Sequence, residues 1–461
     1  MKRREFISKT SAGFSVLLLS PGIWAGSAGR SSSWKPFQFK PYRKGKFSVP
    51  VIQVTPDDGF YLHTFYDVCP WSPSGKLLAV TKFPYQGKKP GWGDTAEVCV
   101  IDLENQQIKT VFQTKAWSFQ LGANVQWGNA SDRYLYTNDI INREPVCIRI
   151  DLSDQSIKAY KGSKYDIAPD EKSVISPNLL NMNIHQYGYA VPDGPTGKPV
   201  PFTAADMDTE GLWKTDLVKN EKKLLVTMQQ FFEASQDKKK YADSIGYLFH
   251  SKFNKQNTRI LQVFRAQIDN KGRNASLFSM NTDGSKLKQC LSAAEWNHVA
   301  RLGGSGNHPN WHPDGERVIM NCVPVWLGFK DMLFCSFRYD GTDFKVLSEK
   351  HLGSGHPSVH VGGKYLLADA YPKQSYVESA DGEVALRLLN LINDSEMQLC
   401  TIPNDVGGGV RQATAADALT GGSQHKLDPH PVWGRNYTEI CFNGAPDGKR
   451  QVFIADLSTI L

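Results

Sequence analysis

One unit recurs seven times along this chain, and that repetition restricts the fold more than any feature of composition. Each copy starts with an apolar anchor, a tight polar turn and a β-rich run. The copies read WSPSGKLLAV from Trp71, WGNASDRYLYT from Trp127, IAPDEKSVI from Ile167, FNKQNTRILQV from Phe253, WHPDGERVIM from Trp311, VHVGGKYLLA from Val359 and WGRNYTEICF from Trp433. Gly, Asn, Asp and Pro provide the turn geometry, and the flanking runs are β-branched or aromatic. A second element follows each anchor: two strands about a polar turn, often marked Asp-Leu, as in VCVIDLENQQIKTV, VCIRIDLSDQSIKAY and the terminal VFIADLSTIL. Strict alternation of the two elements makes seven four-stranded antiparallel units, an all-β seven-bladed β-propeller. The last copy ends at Leu461 without an outermost strand, while a spare run, FSVPVIQVT over 47–55, precedes the first copy. That run is expected to complete the last blade, leaving no exposed sheet edge. No helical period is apparent outside the N-terminal segment.

The chain divides into a twin-arginine signal peptide (1–28), a linker (29–46) and the propeller (47–461). Lys2, Arg3 and Arg4 precede the short apolar run from Ala12 to Leu19, and small residues follow around Ala25 to Ala28. This order is that of an export signal, and the run is too short to span a bilayer as a stable membrane anchor. The expected location is periplasmic or secreted. The formal charge of +7 is inflated by this leader, and no Lys/Arg run points to nucleic acid. The mildly basic remainder fits an anionic ligand. Of the eight cysteines, Cys99, Cys147, Cys335 and Cys441 lie in apolar strand-like runs and read as small buried hydrophobes. No C-x-x-C pair occurs, which argues against a cysteine zinc site.

The two faces of such a ring differ. Turns after the anchors are short on one face. The opposite face carries the long connections 83–96, 182–216, 227–249, 292–307 and 401–428, the usual layout of a functional surface. At that face, three residues before each anchor, stand Val68, Asn124, Lys164, His250, His308, His356 and His430. Four consecutive blades thus place histidine at one structural position, out of only 11 histidines in the chain. Four convergent imidazoles are better explained by a metal ion, a general base or both than by packing. Asp428 precedes His430 by two residues and shares its strand face, and His425 lies just upstream. Arg265 ends the second strand of blade four and Asn142-Arg143 that of blade two. Tyr187 and Tyr189 come from the long connection of blade three. His312 and His360 follow their anchors and read as ordinary channel or turn residues.

The motifs HPNWHPDG at 308, GHPS at 355, HSKFNKQNTRILQVFR at 250 and LDPHPVW at 427 resemble those of the oligogalacturonate lyases and the related propeller ulvan lyases. DVCPWSPSGKLLAVTKFP and QLGANVQWG look more like the ulvan-lyase branch. The resemblance spans essentially the whole mature chain. It implies a divalent metal ion (manganese, calcium or zinc) on His356 and His430. It also implies His425 where the family has glutamine and Asp428 where it has a further histidine. His308 corresponds to the proton-abstracting histidine, with His250 as the other candidate. Among ulvan-lyase relatives a blade-two histidine and a blade-three tyrosine act as acid and base. Asn124 stands near the first position, a departure, and Tyr189 matches the second.

The implied activity is that of a carbon–oxygen lyase on an anionic, uronate-containing poly- or oligosaccharide, ulvan-like or pectic. Such an enzyme removes the C5 proton of the uronate and expels O4, which requires charge stabilisation at the C6 carboxylate and a base within reach. The expected clamp is Arg265, and the expected acid at the leaving oxygen is Tyr189. Asn124, Arg143 and Tyr187 are expected to contact substrate, and the chain is expected to be a monomer or dimer. The alternative is a non-catalytic periplasmic propeller that binds sugar or protein, for which four convergent histidines have no evident use. A hydrolase gated by a propeller lacks a G-x-S-x-G motif here.

Overall fold

A computed structural model describes residues 32–186, 188–192, 206–241, 245–268, 272–371, 382–406 and 427–461. The leader and the positions of Tyr187 and His425 lie outside the described residues. The seven sheets are those read from the repeats. Blade two is representative: Gln126–Trp127, Tyr134–Ile141, Glu144–Asp151 and Ile157–Ala159 pair antiparallel in chain order from the channel outward. Blade seven runs Val432–Trp433, Glu439–Gly444 and Gln451–Asp456, and Val51–Gln53 completes it, with Ile52 opposite Ile454. The ring therefore closes through the N-terminal strand, as expected. The stretch read as a linker also pairs: Lys35–Pro36 borders the outer strand of blade one, and Lys40–Pro41 borders Val51–Gln53.

The anchors recur because they join neighbouring blades. The indole N–H of Trp127 donates to Pro70 O of blade one (2.8 Å), that of Trp311 to Lys252 O of blade four (3.2 Å), and that of Trp433 to Ser358 O of blade six (3.3 Å). Blade four lacks a tryptophan at this position, and its Phe253 N–H donates instead to Asp166 of blade three (2.8 Å). Between blades the sheets bury apolar faces against each other, as where Val98 and Val100 pack with Trp127, Leu135 and Ile148. All eight cysteines are free thiols, and seven of them are buried.

Short helices correct the expectation of none. They lie within three of the long connections, at Leu179–His185, Met228–Ala234, Lys238–Tyr241 and Ala293–Trp296. Two open with capping boxes, Thr227 with Gln230 and Ser292 with Glu295, whose reciprocal hydrogen bonds satisfy the first-turn amides. At four to seven residues they are too short for an amphipathic period to emerge from sequence. Among the described residues no helix is long and apolar enough to cross a membrane.

Blade one breaks the pattern where it matters. Its inner strand pairs with Leu77–Phe83 at Phe60–Leu62 and again near Trp71, and the residues between leave the sheet. This excursion buries Phe65 and Tyr66 in the channel, against the histidines described below. Replacing Trp127 by Phe removes the inter-blade bond to Pro70 O, which keeps its bond from the Ala79 N–H (2.8 Å). We expect a loss of about 0.5–1.5 kcal/mol of stability by urea denaturation.

Candidate metal and acid–base site

The histidine positions converge because the inner strands are bulged there. Asn124, His250, His308 and His430 have left-handed φ of 46°, 55°, 54° and 49°. The pairing register shifts at His250 (between Phe249 and Lys252) and at His308 (between Asn307 and Asn310). An extra residue in a bulge re-aims its side chain, and Asn and His tolerate this backbone region better than most residues. In blade six the glycine before the histidine takes this conformation instead (Gly355, φ 65°). Valine, branched at Cβ, is poorly suited to it, and blade one, with Val68 here, makes its excursion instead.

Three of the four imidazoles are contiguous. Ring centroids of His308 and His356 lie 3.9 Å apart, and those of His356 and His430 lie 4.4 Å apart. Ligand atoms of His356, Asp428 and His430 all fall within 4.8 Å of one another, and all three residues are buried. Two imidazoles and a carboxylate converging out of bulk solvent fit a divalent ion. His356 is held in a ligand's orientation. Its ring Nδ1 lies 3.0 Å from both Asp369 carboxylate oxygens, and its backbone N–H donates to the same group at 2.6 Å. The Nδ1 proton is thereby committed to Asp369, which presents Nε2 outward as a ligand. Tyr371 OH lies 3.4 Å from that Nε2.

His308 is oriented by a different acceptor. Its Nδ1 lies 2.6 Å from the Gly355 carbonyl, which also accepts from the Asn321 amide (2.7 Å). A ring that donates from Nδ1 carries its lone pair on Nε2, the form a base requires. His308 is half-buried, whereas His250 is only 2% exposed. His250 stacks on Phe65 at 5.3 Å and has Tyr165 OH 3.2 Å from Nδ1. Burial, then the charges of Lys252 and Arg265, holds His250 well below the usual imidazole range.

The remaining expected residues separate into near and distant. Arg265 is half-buried, donates to Gln186 Oε1 (2.7 Å) and stacks over Phe249. Tyr189 is buried, edge-on to Phe65 and Phe249. Asn124 is buried, and its amide is engaged by blade three, donating to Tyr165 O (3.0 Å) while its Oδ1 accepts from Lys164 Nζ (3.3 Å). Arg143 is exposed at the tip of a two-residue turn. His312 and His360 accept turn N–H groups from Asp314 and Gly362, as turn residues.

Several contributors escaped the sequence reading. Asp369 ends an apolar strand, YLLAD, and a carboxylate buried in such a run needs a partner, which is the signal that would have found it. Arg450 is fully buried, donates to Phe119 O (3.2 Å), and feels the Asp428 charge; burial pushes its guanidinium down to about 9. His63 of blade one lies under the Asp428–His430 segment, 3.4 Å from Pro429 O, and burial pushes it down to about 4.

Fold and site together define a closed propeller with a buried His/Asp cluster and an adjoining half-buried histidine at one channel mouth. No known family profile matches the chain, and no curated protein is similar to it. Among solved structures it resembles an oligogalacturonate lyase in complex with manganese, at 14% identity and TM-score 0.62, over 92% of this chain and 97% of that one. It also resembles an oligogalacturonate lyase from Vibrio parahaemolyticus, at 16% identity and TM-score 0.60, over 93% and 98%. At such identities the likeness establishes the fold.

Asp369→Asn keeps the size of the side chain but removes the charge that holds the His356 ring. Manganese affinity, measured by calorimetry, is expected to fall about 10–100-fold.

Proposed function

We propose that this protein is a polysaccharide lyase that cleaves a uronate-containing poly- or oligosaccharide, pectic or ulvan-like, by β-elimination at the histidine mouth. The observation that carries this reading is the adjacency of two unlike sites. The His356–Asp428–His430 cluster is matched to a cation, and His308, 3.9 Å from His356 between ring centroids, has its Nδ1 committed to a carbonyl. A divalent ion, manganese by analogy with the solved lyase, would be held by His356, Asp428, His430 and His425. Once bound it supplies positive charge for the C6 carboxylate of the substrate.

The chain's own groups then have defined roles. His308 Nε2 accepts the C5 proton. The C5–H electron pair becomes the C4–C5 double bond, and the C4–O4 bond breaks with its electrons leaving on oxygen. Tyr189 is the proposed donor of the proton that O4 then takes. Arg265, at the loop-bearing end of blade four, is the proposed clamp on substrate carboxylate. His250 is better read as a neutral wall of the site than as the base, because burial opposes its protonation. Asn124 is a brace between blades two and three, which moves the blade-two acid–base role of the ulvan lyases away from this chain. Export by way of residues 1–28 belongs to the same reading, since the substrate is a cell-wall polymer.

Purified mature protein should raise the ultraviolet absorbance of one among ulvan, polygalacturonate and short oligogalacturonides, and EDTA should abolish the rise. A flat trace on all three with manganese bound would move the assignment to a non-catalytic sugar-binding propeller. His308→Ala should lower the rate about 10²–10⁴-fold while retaining manganese, since it removes a base and no ligand. Loss of the metal from this variant would contradict the division of roles.

A further inference from the structure

The outer strands of this propeller match their charges in some blades and oppose them in others. In blade six Arg387 makes two contacts of 2.7 Å with Glu396 on the neighbouring strand, and in blade five Arg317 meets Asp343 at 2.6 Å. Blade two does the reverse, setting Arg149 directly across from Lys158 on its outermost strand. Blade three sets Lys214 across from Lys223. Like charges placed opposite one another in an antiparallel pair destabilise it, so neither pair helps the sheet that carries it. Burial, then the Lys223 charge, holds Lys214 below the usual lysine range.

The pair on blade two continues across the junction with blade three. Lys161 follows in the same outer segment, and its backbone N–H donates to the Asn220 side chain of blade three (2.9 Å). Gly162 lies so close to that blade that a Cβ on it would collide with Thr215 and meet the Lys222 stem at 3.3 Å. Arg149, Lys158, Lys161 and Lys222 therefore form one row. The three lysines are exposed and Arg149 is half-buried, and among the described residues none of the four is in an ion pair. Three of them stand over aromatic rings: Arg149 over Tyr134 (4.4 Å), Lys158 over Tyr160 (4.8 Å) and Lys222 over Trp213 (4.4 Å). Such rings hold a cation in place without cancelling its charge. Carboxylates nearby are engaged elsewhere, Asp151 with Arg133, and Glu171 with the Tyr136 hydroxyl and the Asn129 and Ala130 N–H groups.

We propose that this row is a secondary, non-catalytic binding surface for an acidic polysaccharide. A line of positioned, unpaired cations is complementary to a chain that carries an anionic group on successive sugars. The identity of that chain as the uronate polymer rests on the lyase reading, and the row itself does not. Ile157–Ala159 and Glu221–Thr227 are the outermost strands of their blades, so a polymer held here leaves the histidine mouth free. Holding one stretch of a long chain raises the concentration of the rest of it at the mouth, an advantage that short oligosaccharides do not share.

The test is affinity electrophoresis of the manganese-loaded mature protein through gels containing polygalacturonate, ulvan, neutral dextran or double-stranded DNA. His308→Ala is present throughout, so that no polymer is cut. At least one acidic polysaccharide should retard the protein, dextran should not, and added salt should weaken the retardation. Lys158→Gln combined with Lys222→Gln should weaken the affinity about tenfold. The thermal midpoint of this variant should not fall, because Lys158→Gln relieves the repulsion from Arg149. The proposal is overturned if neither acidic polysaccharide retards the protein, if dextran or DNA retards it as strongly, or if the variant is retarded as its parent is. A fall in the midpoint overturns it too, since it would mark these lysines as structural. The lyase reading fails separately: a flat ultraviolet trace with retardation intact keeps this surface and removes the lyase.

Discussion

Everything in this molecule depends on the pairing of Val51–Gln53 with Gln451–Asp456. A propeller blade has no fixed angular place until the ring is closed, and here closure joins residues about four hundred apart in sequence. The indole-to-carbonyl bonds between neighbouring blades then set the spacing locally, at Trp127, Trp311 and Trp433. Only with both in place do equivalent positions on blades five, six and seven bring the His356 imidazole within 3.9 Å of that of His308 and 4.4 Å of that of His430, between centroids. The site is a consequence of closure, and its residues come from strands that share no local contact in sequence.

Repetition made the fold legible. Each anchor is a short, redundant signal, and seven weak signals in alternation leave little room for another architecture. The candidate site was legible for the same reason. Histidine at one structural position is visible once the copies are aligned, and His308, His356 and His430 do come together. The pattern misleads where the chain departs from its own repeat. Blade one has no histidine at this position, and nothing in the run HTFYDVC announces that Phe65 and Tyr66 fill the channel. Asn124 sits where the pattern expects a site residue and even shares its left-handed backbone, yet its amide is engaged by blade three. Position along a strand predicts where a side chain starts, and the neighbouring blade decides what it bonds.

The supporting groups were hidden by a different kind of physics. Asp369, Arg450 and His63 act through burial, which sequence pattern does not report for a polar residue at the end of an apolar run. All three are nearly inaccessible, and each lies against the metal cluster or the backbone that carries it. Polar groups in such places cost several kcal/mol unless satisfied, so they persist only as parts of a network. Here the Gly355–His356 peptide is the point where the parts meet. Its carbonyl receives His308, its N–H reaches Asp369, and the imidazole that follows it belongs to the His/Asp cluster that could hold a metal ion. A shift of this one peptide would displace His308 and His356 together.

An aromatic pair braces that peptide's neighbours from the channel side. Phe65 packs edge-on to His430 with ring centroids at 4.4 Å, and Tyr66 lies 4.9 Å from His356. These contacts limit rotation of both imidazoles from below, while Asp369 fixes His356 from the side. They also remove solvent from one side of the cluster, which strengthens any charge interaction made at the other. Tyr66 is itself tethered, through its hydroxyl, to Lys252 and Pro309, and Pro309 directly follows the proposed base. The excursion of blade one therefore ties His356 and His430, the His308 strand and the Asp67–Lys252 pair into one assembly. Its departure from the repeat is what gives a symmetric ring a single, asymmetric working face.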